Sequence, residues 1–395
     1  MPEKSQQPEL SHIIRPVIRP ALIQILLLLL ILSGASAEGR ERPTITAAAG
    51  QDTHHDAIVD QLVASFLKNT CHVGLSVAVV LDNQIEFYDF GSTSRSRRAK
   101  PTPDSVYEIA SVTKTFTGAL AARALFQHRM QLDADFRQYL PEAYSNLAWR
   151  GNPITLRTLA THTSGLPRDL PDTDDLYAHR DPETLPFKLI AREFGFDRGR
   201  YLHDLHDVSL RSDPGTKEVY SNLGFKVIGW GLETVYKLPF ERLLMEQILQ
   251  PLGMASTGFV LNAKERSRLV KGYSPAGHLM PYHLRNAGAA YGLYSTPRDM
   301  AKYVRWQLSA TDPVIVIAHR LIQGDAHDGK ALVWNVGTID GSEMLWHGGG
   351  TFGMSSQVVL FPNSHQGYVL LANDTCNGTE GALKSIAIAF HQHLH

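Results

Sequence analysis

The sequence predicts an α/β chain of the α+β type, with one sheet built from both chain ends and an all-helical domain inserted between them. Three observations predict it. Alternating, β-branched runs occur at 73–81 and 84–90, and again at 332–338, 355–361 and 368–372. From 130 to 275 the apolar spacing is mostly helical, punctuated by Pro and Gly, with no convincing strand pair. Of 395 residues, 43% are hydrophobic and 19% charged, enough apolar material for a large core, so a disordered or coiled-coil chain is excluded. With 38 Lys+Arg against 39 Asp+Glu, the chain lacks the basic surface that phosphate backbones demand, so no nucleic-acid partner is expected. Two cysteines rule out a disulfide-dense scaffold and a four-thiolate zinc site.

The elements follow in chain order. Arg15 and Arg19 precede the apolar run Ala21 to Leu32, and Ala35-Ser36-Ala37 follows. This is the pattern of a signal peptide over 1–37, cleaved after Ala37, for a periplasmic or secreted protein, with a linker over 38–52. The apolar run is short against the roughly 20 residues of a spanning helix. The alternative is an uncleaved N-terminal anchor, which would give loose membrane association. A helix is expected over 56–68, through Ile58, Val59, Leu62, Val63, Phe66 and Leu67. Val73 to Leu81, the turn pair Asp82-Asn83 and Gln84 to Phe90 form a hairpin. A helix starts near Ser111 and runs through Phe116, Leu120 and Leu125, and the charge-rich stretch Asp169 to Asp213 reads as long loops with short helices. Thr296-Pro297 opens a helix with Pro in its first turn. The late strands follow, then a last helix from Gly378 to Leu394. The expected domains are therefore 53–115 with 280–395 for the sheet, and 116–279 for the helical insertion.

Three short patterns carry chemistry. Ser-x-x-Lys occurs at Ser65–Lys68 and at Ser111–Lys114, and on a helix the i and i+3 side chains share a face, so the amine reaches the hydroxyl. Ser65 has core-like neighbours, Phe66 and Leu67, whereas Ser111 opens an apolar helix after the extended Val106–Ile109. There the helix dipole and free N–H groups favour an oxyanion, and a desolvated Lys114 becomes a base. The plainer reading of Ser111 is an N-cap. Tyr-x-Asn occurs at Tyr144–Asn146 and at Tyr220–Asn222. The second follows the turn Pro214-Gly215-Thr216, and its phenol and carboxamide point the same way if extended. The plainer readings are a surface loop and a helix entry. The third is His347-Gly348-Gly349-Gly350, whose glycines let a substrate backbone approach; a tight turn with a satisfied histidine is the alternative.

Taken in this order, the three patterns resemble the serine β-lactamase and penicillin-binding superfamily on its class C side, with its class C β-lactamases, D,D-carboxypeptidases, D-aminopeptidases and esterases. The matching stretches are Ile109-Ala-Ser-Val-Thr-Lys114, Pro153 to Pro167, Pro214-Gly-Thr, Tyr220-Ser-Asn-Leu-Gly224, Pro251-Leu-Gly-Met254, Tyr294 to Met300 and His347-Gly-Gly. The stretch Ile154 to Asp169 is most similar to the penicillin-binding carboxypeptidase/endopeptidase subgroup. The resemblance implies a β-lactamase/transpeptidase-like fold, an antiparallel sheet flanked by helices with the helical insertion. It implies acyl transfer without a cofactor: Ser111 as nucleophile, Lys114 and Tyr220 moving protons, Asn222 holding the substrate amide, and the N–H groups of Ser111 and Gly350 as oxyanion hole. Peptidoglycan peptides or β-lactams would be the ligands of an exported D,D-carboxypeptidase/endopeptidase. A small-ester esterase, a β-lactamase and a penicillin- or peptide-binding protein that acylates without turnover stay open.

Two positions depart from the β-lactamase form. His347 stands where β-lactamases have the lysine of Lys-Thr-Gly, and near pH 7 a histidine of ordinary pKa has lost most of that charge. Asp169 stands where class C β-lactamases have Gln, and a carboxylate at the pocket rim would repel acidic substrates and favour an amine. Among the other residues, His203 and His206 have helical ligand spacing in a charge-rich loop region, but no metal is expected. His391, His393 and His395 read as a solvated helix end, and His162 as structural. In the implied fold the first and last helices lie on one face of the sheet, which brings a Cys71–Cys376 disulfide within reach. Asn373-Asp-Thr and Asn377-Gly-Thr fit the glycosylation pattern.

Overall fold

The computed structural model describes residues 53–82, 84–283 and 288–394; the expected signal peptide and linker at 1–52 lie outside the described residues. A first helix, Thr53–Lys68, leads into the hairpin of β1 (Gly74–Leu81) and β2 (Gln84–Gly91), with Leu81 opposite Gln84. The short strand β3 (Tyr107–Glu108) precedes the helix Thr113–Phe126. A two-residue pair, β4 (Ala148–Trp149) with β5 (Asn152–Pro153), interrupts the helical stretch, and β6 (Tyr294–Ser295) pairs with β3. The C-terminal part supplies β7 (Gln323–Gly324), β8 (Gly329–Lys330), β9 (Asn335–Ile339), β10 (Ser342–Gly350), β11 (Ser355–Phe361) and β12 (Gln366–Ala372). A last helix, Thr379–His393, closes the described chain.

The main sheet has eight strands in the order β2-β1-β12-β11-β10-β9-β8-β7, every pair antiparallel. The first segment thus joins the last: Leu75 faces Ala372 across β1 and β12. Period-two alternation sorts the β1 side chains onto two faces. Leu75, Val77 and Val79 point to one core with Val59, Val63 and Phe66 of the first helix and Leu383, Ala387 and Phe390 of the last. Ala78 and Val80 point to the other core, with Phe116 and Leu120 of the serine helix and Met300, Tyr303 and Val304 of the helix Pro297–Gln307. Each such leucine, valine or phenylalanine stabilises by about 1.5–3 kcal/mol when fully buried.

One strand expectation shifts. The run expected as a strand from Leu332 starts as one only at Asn335. Ala331 to Trp334 form a buried turn, closed by the Ala331 N–H on the Trp334 carbonyl at 2.9 Å, with Val333 at φ +81°. Their apolar character reports burial, not strand conformation. Near the other end of the sheet, Cys71 and Cys376 place their sulfurs at bonding distance, with Cα atoms 6.1 Å apart, which ties the exit of the first helix to the entry of the last.

Candidate active site

Ser111 sits in a short 3-10 turn, Ala110–Val112, that opens into the helix Thr113–Phe126. Ala110 takes φ +49°, a left-handed backbone uncommon for a residue with a side chain, and so turns Ser111 into a cavity of about 640 Å³. One helical turn on, Lys114 is fully buried. Its Nζ donates to Asn222 Oδ1 (2.8 Å) and the Ala290 carbonyl (2.7 Å) and lies 3.1 Å from Ser111 Oγ. Desolvation holds its pKa well below the ordinary lysine value, against the pull of Asp169. Tyr220 Oη lies 2.6 Å from Ser111 Oγ, and burial raises its pKa.

The Tyr220–Asn222 stretch is held by its neighbours. Ser221 caps the helix Asn222–Tyr236, its Oγ accepting the Gly224 N–H (2.9 Å) and donating to the Pro167 carbonyl (2.7 Å). The Ser221 N–H donates to Nδ1 of His162, whose ring stacks on Tyr220 with centroids 4.3 Å apart. Accepting on Nδ1 requires a neutral imidazole, and desolvation lowers the His162 pKa well below its ordinary value. His162 therefore touches the phenol it orients. Asn222 gives its Oδ1 to Lys114 and its Nδ2 to Asp169 Oδ1 (3.0 Å), while its backbone N–H is held by the Arg168 carbonyl (2.7 Å).

Gly348, Gly349 and Gly350 of β10 line the same cavity as Ser111. A methyl group on Gly349 would lie 2.8 Å from the Ser111 nitrogen and 2.7 Å from Ser356 Oγ, so only glycine lets the strand approach the nucleophile. His347 points elsewhere. It faces a neighbouring cavity with Glu218, Lys330 and Trp346, and its Nδ1–H donates to the Gly348 carbonyl (2.7 Å). Desolvation, with Lys114 adding to it, lowers its pKa to about 3. The imidazole is neutral across the physiological range.

Asp169 is not at the rim. It is 4% exposed beneath Asn222, and its other oxygen accepts from Thr173 Oγ1 (3.1 Å). Its bonds to Asn222 and Thr173 hold the carboxylate at the buried floor of the cavity, and the residue before it, Arg168, lines the cavity beside it. The sequence carries no signal for Arg168, Tyr291 or the Ala290 carbonyl at the site: the direction of Arg168 depends on how the loop after Pro167 turns.

Of the remaining candidates, Ser65 is exposed on the first helix and Tyr144 is buried in the helical region, its hydroxyl on the Leu202 carbonyl (3.1 Å). His203 and His206 pair separately with Asp204 and Glu142. Among the described residues, the one His/Cys/carboxylate trio at ligand spacing is His72, Asp374 and Cys376, within 4.8 Å. There the Cys376 sulfur is engaged by Cys71. Asn373 is buried with its amide donating to three backbone carbonyls, so a glycan has no access; Asn377 is exposed at the cavity.

An antiparallel sheet between helices, with a serine gripped by a buried lysine and a tyrosine at its edge, defines a serine-nucleophile fold of the β-lactamase and transpeptidase class. The chain belongs to the Beta-lactamase family, which matches residues 59–393. It is 32% identical over 256 residues, 64% of this chain, to the D-alanyl-D-alanine-carboxypeptidase/endopeptidase AmpH of Escherichia coli (strain K12). Protein flp of Staphylococcus aureus (strain MRSA252) is 23% identical over 326 residues, 80% of this chain. The matched region spans 62% of the length of each of these curated relatives. Among solved structures, a β-lactamase/D-alanine carboxypeptidase from Yersinia pestis complexed with citrate superposes with TM-score 0.74 at 23% identity, covering 88% of this chain and 100% of that one. A class C β-lactamase superposes with TM-score 0.76 at 19% identity, covering 88% and 99%.

Proposed function

We propose that the chain is an exported serine acyl-hydrolase, a D,D-carboxypeptidase/endopeptidase that cleaves peptidoglycan peptides through an acyl-enzyme on Ser111. The observation that carries the reading is the double grip on Ser111 Oγ, by Tyr220 Oη at 2.6 Å and Lys114 Nζ at 3.1 Å. A neutral amine has two N–H donors and one lone pair. With the two donors given to Asn222 Oδ1 and the Ala290 carbonyl, the lone pair faces the Ser111 proton. The lowered lysine pKa supports that neutral state. Lys114 takes the proton as Ser111 attacks the carbonyl; Tyr220 then hands a proton to the departing amine as the one on Lys114 passes back to the phenol through Ser111 Oγ. In hydrolysis the same groups activate water. The Ser111 and Gly350 N–H groups receive the oxyanion, and such a donor is worth about 3–4 kcal/mol in comparable sites.

A β-lactamase reading is weaker, because His347 is neutral and turned from the cavity, leaving no cation where β-lactamases keep lysine. The relation to a carboxypeptidase/endopeptidase at 32% identity supports the peptide substrate. Export rests on the N-terminal pattern. Among the described residues no helix is long and apolar enough to cross a membrane.

Intact mass of the purified protein with a fluorescent penicillin, beside Ser111→Ala, tests the nucleophile. A stable adduct on the parent alone, followed by release of D-Ala or cross-link cleavage from muropeptides, is the expected outcome. Equal labelling of Ser111→Ala refutes the site. An adduct without turnover of any muropeptide points to a binding protein. Hydrolysis of small esters without attack on muropeptides points to an esterase.

A further inference from the structure

We infer that Arg168 and Arg180 form an anion subsite on the Asn222 side of the cavity, so that the preferred substrate carries a carboxylate on its acyl portion. The inference rests on the serine acyl-hydrolase reading for its chemistry, and on the pairing of arginines for its sign. In the charge-rich segment after Pro167 the outward-facing guanidiniums are consumed. Arg192 pairs with Asp175 (2.8 Å), Arg198 with Glu233 (2.8 Å), Arg200 with Asp204 (3.4 Å), and Arg211 with Asp172 and Asp174. Of the two that line the cavity, Arg168 has only a loose ion pair, to Asp169 at 3.6 Å. Among the described residues Arg180 has no ion-pair partner, and its side chain is exposed at the rim.

Arg168 is held rather than neutralised. Its guanidinium lies over the Tyr177 ring at 4.1 Å and near the Tyr220 ring at 5.2 Å. Its carbonyl is fixed by the Asn222 and Leu223 N–H groups. Its Nε is buried without a hydrogen-bond partner, and the nearest carboxylate, Asp169, stands off at 3.6 Å, already engaged by Asn222 and Thr173. A planar fork kept rigid by Tyr177, which it also hydrogen-bonds, and with its Nε donor unspent, fits a carboxylate. Two other acids line the cavity. Glu193 receives the Tyr291 hydroxyl and feels the buried Lys226, and Glu380 lies beside Gly348 and Gly350, at the β10 wall. On the Asn222 side the carboxylates Asp169 and Glu193 are already held by Asn222, Thr173, Tyr291 and Lys226, and the two guanidiniums are the groups open to a ligand, opposite to what Asp169 at a rim would give.

The test is direct binding to Ser111→Ala protein, read by calorimetry, of succinyl-D-Ala-D-Ala and its succinamoyl counterpart, which differ only in the terminal carboxylate of the acyl group. The carboxylate peptide is expected to bind about tenfold tighter, the scale of one charge-assisted hydrogen bond. That ratio should fall toward one in Arg168→Gln, recover in part in Arg168→Lys, and shrink in the well-folded surface variant Arg180→Gln. Equal affinities, preference for the neutral peptide, or no detectable binding of either overturns the subsite. Binding needs no turnover, so failure here is distinct from failure of the Ser111 labelling experiment.

Discussion

At the scale of single residues, the site depends on burying ionisable groups so that each holds the protonation state its partner needs. Lys114→Met removes the proposed base while filling similar space; acylation by fluorescent penicillin should fall about a hundred- to ten-thousandfold, the usual range for a positioned base, with the circular dichroism spectrum unchanged. His347 makes a pH prediction of definite sign. Its pKa drops from 6.5 to about 3 on folding, so below 6.5 the unfolded chain takes up a proton the folded one refuses. The stability present above pH 6.5 is thus progressively lost as pH falls toward 3. In His347→Asn that loss should be smaller, as urea midpoints across the window would show; parallel curves would contradict it. Ser111, Lys114 and Tyr220 were readable because their partners recur at fixed short spacing. Asp169 and Arg168 were not, because two adjacent loop residues exchange inside and outside by a single backbone rotation.

At the scale of elements, the catalytic edge is the meeting of β10 with the serine turn. Gly349→Ala drives a methyl group into the Ser111 nitrogen, and should cost about a hundred- to thousandfold in acylation rate, as loss of one oxyanion donor does, with the protein still folded. An unchanged rate would mean that the turn can retreat without loss. The Cys71–Cys376 pair joins the first and last helices across 305 residues of chain, so on the chain-entropy model the bond stabilises by an upper limit of order 5 kcal/mol. A thiol count on unreduced protein should be zero, and Cys71→Ser should lower the urea midpoint. The long strands were legible through β-branched alternation. Of the two-residue strands only β3 lay in a stretch legible as extended; β4, β5, β6, β7 and β8 were not, since so short a ladder has no period to read, and the buried turn at 331–334 imitated a strand because burial alone selects apolar side chains.

At the scale of the whole molecule, two cores lie on opposite faces of one sheet, and the chemistry belongs to only one of them. Phe390, fully buried between the last helix and the sheet, should cost about 3–5 kcal/mol when changed to Ala, while penicillin labelling of the folded fraction is unaffected. The ordering of the sheet has a further consequence, for synthesis. β1 emerges from the ribosome early, yet one of its two partners is β12, with Leu75 set against Ala372. At about 5–20 residues per second, that partner arrives roughly a quarter of a minute to a minute later. A lone two-stranded hairpin is marginal in water. A chain stopped after Pro362 should accordingly yield no protease-resistant core. Until the final strand is made, the open β1 edge is the place where a stalled chain would pair with a neighbour instead of with itself.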